Sequence, residues 1–251
     1  SIIFWGASLV RIYHSYDMAP DILKSMVWDG LDVDDQAGTL ASELQLPPYH
    51  SVELRGAAKL YLSNGTQQST ILTTNQINSL VYDGVIKAEV RDSVLYIEAS
   101  NQISMNDVMI DFAITSPNLR KLTVYGASKI ETADNQVLAQ PDLMLDLNGA
   151  AQADLHLNVE NLTIHAKGAS KLDLEGTASE VHITIAGAGE VDAEDLLAQV
   201  MHINCAGASK AELNVVRELW AQAAGASRIT YHGTPQIKQK MAVGGSFILK
   251  D

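Results

Sequence analysis

Cysteine is all but absent. The single Cys205 leaves no partner for an intrachain disulfide and no thiolate cluster for a metal. Aromatic residues are also scarce, at 6% of the chain with three Phe and three Trp, so any core must be built from Leu, Ile, Val and Ala. No run of apolar residues is long enough to cross a membrane as a helix. The apolar opening stretch, residues 1–10, has the length of a signal h-region but no basic start and no Ala-x-Ala site. It is expected to be an edge strand or cap of the solenoid, the alternative being a chain that begins part-way through a precursor. Positive charge is short too: 17 Lys and Arg against 30 Asp and Glu give a net charge of −13 and a pI near 4.8. Such a surface repels phosphate backbones and anionic headgroups, which excludes nucleic acid and disfavours acidic membranes as partners. There is no Gly-x-Ser-x-Gly, no phosphate loop and no nucleophile–base spacing. Neither catalytic residues nor a cofactor is expected.

What is present is a tetrapeptide that keeps returning. Gly168-Ala169-Ser170-Lys171 has close copies beginning at Gly126, Gly149, Gly187, Gly207 and Gly225, and an outlying copy at Gly56. From Gly126 onward the glycines stand 23, 19, 19, 20 and 18 residues apart. A period near twenty with strand-like flanks is the signature of stacked coils, each unable to bury its apolar face alone.

Aligning the copies on the glycine gives a cross-section. Apolar residues stand four and two before it (Leu122 and Val124, Ile164 and Ala166, Ile203 and Cys205) and four after it (Leu172, Val191, Ile229). Polar residues fill the places between, so a strand with one buried face enters the corner and another leaves it. The glycines Gly56, Gly126, Gly149, Gly168, Gly187, Gly207 and Gly225 are assigned as corners, where φ > 0 is needed. The alanine after each is expected to fill a narrow inward slot. The predicted fold is therefore all-β, a single-stranded right-handed parallel β-helix over residues 48–251. Residues 1–47 form a short irregular or helical N-terminal extension or cap.

The Gly-Ala-Ser-Lys coils occur with Ser51-Val52-Glu53-Leu54-Arg55-Gly56, with Val94-Leu95-Tyr96-Ile97 and with the Pro117-Asn118-Leu119 entry to the first regular coil. Together they resemble the bacterial auto-transporter adhesin head GIN domain family over about residues 48–250. That resemblance implies a β-helical protein of the bacterial cell envelope, or a secreted one, with an adhesin-like, non-catalytic role. It supplies no catalytic residues.

Within the extension, residues 20–28 fit a brief helix with Pro20 near its start. Asp32, Asp34 and Asp35 invite a calcium reading, but the EF-hand offsets fail and a solvated acidic loop is expected. Three residues after the corner glycines, Lys59, Lys129, Lys171, Lys210 and Arg228 form an outer basic column, interrupted by Gln152 and Glu190. It is expected either as a solvated face with exposed ion pairs or as a ladder for a polyanion or polysaccharide. His165, His182 and His202 should face outward, yet no carboxylate is expected beside them except Asp146 in the register of His165, so no metal is assigned. Two residues beyond the basic positions, Glu131, Asp154, Asp173, Asp192 and Glu212 form a parallel acidic column. Asp146, Asp173 and Asp192 are read as occupying different registers, which argues against paired-carboxylate catalysis. The expected function is a protein that presents β-helical faces to a surface protein or glycan. The alternatives are a carbohydrate-active lyase or hydrolase on the same scaffold, and a homo-oligomer assembled through the β-helix ends.

Overall fold

The computed structural model describes residues 2–5, 8–13, 40–74, 86–99 and 110–251, with side chains from residue 41 onward. All regular structure among these residues is β-strand, and none of it is helix. The helix expected over residues 20–28 and the Asp32, Asp34 and Asp35 cluster lie outside them. In chain order the first strands are β1 (Ile2–Trp5), β2 (Ser8–Tyr13), β3 (Leu40–Gln45), β4 (Ser51–Gly56), β5 (Lys59–Asn64) and β6 (Ser69–Thr74). There follow β7 (Ile86–Arg91), β8 (Val94–Ala99), β9 (Ile110–Ser116), β10 (Lys121–Gly126) and β11 (Lys129–Thr132). The last are β12 (Leu138–Gly149), β13 (Gln152–Gly168), β14 (Lys171–Gly187), β15 (Glu190–Gly207), β16 (Lys210–Gly225), β17 (Arg228–His232), β18 (Gln236–Gly244) and β19 (Phe247–Lys250).

The chain divides into two compact units, residues 1–119 with 128–136 and residues 120–127 with 137–251. The first mixes two kinds of pairing. β1, β2, β3, β6 and β9 run antiparallel in that order. β5 pairs in parallel with both β9 and β11, and β4 pairs in parallel with β8. β6 and β9 bury nearly every side chain on both faces, which is why the Ser69–Thr74 and Ile110–Ser116 sequences carry no clean alternation.

The second unit is a β-solenoid. β10, β12, β13, β14, β15 and β16 pair in parallel, each with the next, and β18 adds to β16. Each coil from β13 to β16 is strand almost throughout, broken only at the two residues after the corner glycine. The inward registers stack as the sequence pattern requires. Leu145, Ile164, Ile183 and Ile203 form one buried column, and Ala153, Leu172, Val191, Ala211 and Ile229 another. Burying each Leu, Ile or Val contributes about 1.5–3 kcal/mol, available only because a neighbouring coil covers it. Cys205 belongs to this core, and burial pushes its thiol up to about 12, which leaves it inert.

At the corner the glycines align one above another, from Gly126 through Gly149, Gly168, Gly187, Gly207 and Gly225 to Gly244. The alanine N–H of each coil donates to the glycine carbonyl of the coil before, as Ala169 does to Gly149 at 2.9 Å and Ala188 to Gly168 at 2.8 Å. That bond leaves no room for a side chain. A Cβ on Gly168 would stand 2.4 Å from the Gly149 carbonyl oxygen, and φ there is +104°. The slot expected at the alanine lies one residue later. Ala127, Ala150, Ala169, Ala188, Ala208 and Ala226 are exposed, whereas Ser128, Ala151, Ser170, Gly189, Ser209 and Ser227 are buried. Alternation runs unbroken through the corner, with glycine in the place of an inward side chain. Its neighbours at odd spacing face out, and those at even spacing face in. Some of the buried hydroxyls bond locally: Ser227 Oγ donates to the Ala224 carbonyl at 2.9 Å and Ser246 Oγ to the Val243 carbonyl at 2.7 Å, whereas Ser170 Oγ is buried without a partner.

The last coil sets Ile237, Met241, Val243, Phe247 and Leu249 at the surface. It also places Lys240 in the register of buried Ala221, so a charge follows the inward column. Lys240 itself is exposed, and its Nζ lies 5.7 Å from the Tyr231 ring centre. Replacing Gly168 by Val should cost about 1–3 kcal/mol, the strain of a left-handed residue plus the clash with a neighbouring carbonyl. A urea melt of Gly168→Val with an unchanged midpoint would contradict the corner.

Candidate functional site

Parallel, in-register stacking turns every outward position of the second unit into a column that crosses successive coils at the strand spacing. The function of these columns depends on what each coil supplies.

The basic column is not a row of free cations. In the second unit its register reads Gln152, Lys171, Glu190, Lys210, Arg228, Phe247. Lys210 sits between Glu190 at 3.5 Å and Glu212 at 3.1 Å, and the Arg228 guanidinium lies 5.8 Å from the Phe247 ring centre. In the first unit Lys59 and Lys129 both bind Glu131, Lys59 at 2.9 Å. The acidic column expected beside it is present, with Asp154, Asp173, Asp192 and Glu212 in one register. Of Asp146, Asp173 and Asp192, only Asp146 therefore lies in a different register, against the reading that separated all three. Burial, with Asp154 and Asp192 added, raises the Asp173 carboxyl above its usual range. This is a repulsive column partly neutralised by Lys171, with no acid set apart from a base.

On the other face, Asp146 and His165 share a register as expected. Lys121 Nζ meets Asp146 Oδ2 at 2.6 Å and His165 Nδ1 meets Asp146 Oδ1 at 2.9 Å. Partial burial opposes ionisation of Asp146, but these two partners outweigh it and hold the carboxyl below its usual range. The expectation that His182 and His202 have no carboxylate beside them is overturned. Glu180, two residues before His182 and so on the same face of β14, places Oε1 2.8 Å from His182 Nε2 and 4.0 Å from His202 Nε2. The two imidazoles stack at 4.5 Å between centroids, and His202 stacks in turn on Trp220 at 4.2 Å.

Between these faces each coil bends a second time. Two consecutive residues escape burial there, Glu160 and Asn161 in β13 and Ser179 and Glu180 in β14. Beside this bend a groove of about 490 Å³ crosses β12 to β15. Asn158, Thr177 and Leu197 form one wall, in register, and Glu160, Ser179 and Gln199 line the other. Thr177 Oγ1 donates to Asn158 Oδ1 at 3.1 Å, which fixes the amide's orientation. The glycine-anchored alignment does not reveal this groove, because coil length varies between the corner glycine and the second bend; from β14 to β15 the register shifts between Asp173 and Gly176.

With the geometry established, relatives place the chain. Residues 48–235 match the family described as Putative auto-transporter adhesin, head GIN domain. The chain belongs to this family. Solved structures with a similar fold come from several bacterial species. The chain is similar to a putative adhesin from Bacteroides fragilis, with TM-score 0.76, 19% identity, and 85% of this chain and 97% of that one covered. A putative lipid binding protein from Parabacteroides distasonis aligns at TM-score 0.64 and 16% identity over 85% and 96% of the two chains. A putative adhesin from Parabacteroides merdae aligns at 0.56 and 15% over 85% and 96%. At these identities the likeness concerns the fold. No curated protein matches the sequence.

The first unit of this head GIN domain holds one group that sequence reasoning did not single out. Asp111 of β9 is buried, in register with Lys59 on one side and Thr73 on the other. Burial pushes its carboxyl up to about 6, with Lys59 pulling it down and Glu131 pushing it up. A carboxyl raised in the folded state favours folding when protonated, so this site costs stability progressively as pH rises from about 4 to above 6. Asp111→Asn should therefore gain about 1–3 kcal/mol over wild type at pH 7.5 and nothing at pH 3.5. A difference between the two proteins that stays constant with pH, in paired urea melts, would overturn this.

Proposed function

We propose that this head GIN domain is a non-catalytic, adhesin-like binding module of the bacterial cell envelope or of the secreted fraction, and that the groove across β12–β15 holds a glycan. The observation that carries the reading is the lining of that groove. Asn158, Glu160, Thr177, Ser179 and Gln199 offer amides, hydroxyls and one carboxylate from three successive coils, with Leu197 and Val159 as apolar contacts. These groups stand on strands, so they are held in place before a ligand arrives. A protein partner would be anchored best by buried aromatics or arginines, and none line the groove. The lipid binding named for the Parabacteroides distasonis relative calls for an apolar cavity, which this polar lining does not provide. Glu160 and the net charge of −13 disfavour acidic polysaccharides, so the ligand is an uncharged or amino-bearing sugar chain.

Family membership in adhesins supports the assignment without turnover, as does the absence of an acid–base pair in the groove: among its lining residues Glu160 is the one carboxylate. A glycan array probed with the whole chain tests the reading. Each hydrogen bond is worth about 1 kcal/mol, so Asn158→Ala with Thr177→Ala should weaken the retained glycan by about 10–30-fold at an unchanged urea midpoint. Retention that the double variant leaves intact, or hydrolysis of the bound glycan, would overturn it.

A further inference from the structure

We propose that Glu180, His182 and His202 form a binding site for one divalent transition-metal ion of the zinc, nickel and copper group. Three observations lead there. First, one carboxylate and two imidazoles place a ligand atom each within 4.8 Å of one another. Second, they are arranged by the backbone. His182 and His202 are direct partners in the β14–β15 ladder, and Glu180 shares their face two residues earlier. Third, the donor set is chemically selective: two imidazole nitrogens and one carboxylate suit zinc, nickel and copper, whereas calcium and magnesium prefer oxygen alone.

The atoms have to move little. A tetrahedral ion with bonds of about 2.1 Å wants its ligand atoms roughly 3.4 Å apart. Glu180 Oε1 lies 2.8 Å from His182 Nε2 and 4.0 Å from His202 Nε2, on either side of that value. The stacked rings present their nitrogens side by side, and a turn about each soft terminal torsion brings them to converge. Ligation takes the imidazoles in their deprotonated form, so binding should weaken as pH falls. Three protein ligands leave a coordination position open to solvent, as in sites that admit an exogenous ligand. Ser179, on the rim of the groove, is the residue next to Glu180. The metal site does not depend on the glycan reading and stands or falls separately.

Zinc titrated into the whole, metal-stripped chain by calorimetry provides the test. One zinc per chain is expected, and His182→Ala or His202→Ala should weaken it by at least about tenfold, a loss that even outer-shell partners can cause. Glu180→Gln should weaken it too, and His165→Ala, at the neighbouring Asp146 pair, should not. His202→Gln guards against a loss due to disturbed stacking, because it keeps a side chain over Trp220 while removing the imidazole. A second readout is local to the site. Nickel should quench tryptophan emission in the wild type, and Trp220→Phe should abolish that quenching, because Trp220 is the ring stacked on His202. Zinc affinity unchanged in the His182→Ala, His202→Ala double variant, or lost in His165→Ala instead, would overturn the proposal.

Discussion

The hydrogen bond from each corner alanine N–H to the glycine carbonyl of the previous coil holds the second unit in register. It brings the backbones close enough that a methyl group in place of the glycine hydrogen would overlap an oxygen. It also fixes where one coil begins relative to the next, so residues 19 or so apart become neighbours along a ladder. A slip of one residue would turn Leu172, Ile183 and Ile185 outward and bring Lys171, His182 and Thr184 into the core. The apolar columns make such a slip very costly, and the corner glycines make the correct register sterically possible.

The same register builds the outer surface. Once coils stack like on like, a functional face needs no long loop, because each coil adds one side chain to a column. Asn158 meets Thr177, Asn161 Nδ2 donates to Asp142 Oδ1 at 2.8 Å, and His182 meets His202. Columns of one charge are the penalty of this arrangement, visible at Asp154, Asp173 and Asp192. The sequence answers it by inserting Glu190 among the lysines and by setting Lys171 beside Asp173, the middle acid of the three. Most such exposed pairs contribute about 0–1 kcal/mol and serve to keep the columns compatible with stacking.

Period-two alternation made the buried face of every regular coil legible, from Leu122 and Val124 to Ile229, because one face is core and one is solvent. The corner was less fully legible. Ala and Ser are both small, and polarity points the hydroxyl outward, yet counting in twos from Val124 through Gly126 sets Ser128 inside. Gly244 escaped notice because Gly245, not alanine, follows it. Glu180 escaped because the alignment was anchored on the near glycine, whereas the pairing of Glu180 with His182 depends only on a spacing of two. Asp111 was illegible for another reason: β9 is buried on both faces, so its sequence lacks the contrast that marks an inward carboxyl. The groove depends on where each coil makes its second bend, a property set by bulges near Gly176 and Ala193 that no residue repeat announces.

Amide hydrogen exchange at the corner alanines tests the stacking account most directly. Ala150, Ala169, Ala188, Ala208 and Ala226 have exposed side chains outside the strands, so by position alone their amides should exchange as freely as those of a surface turn. Bonded to the preceding glycine carbonyls, they should instead be protected to the same degree as amides within β13 to β16, and lose that protection only when the whole unit opens. Exchange of these five amides at the rate of an unstructured peptide, while the strand amides stay protected, would contradict it.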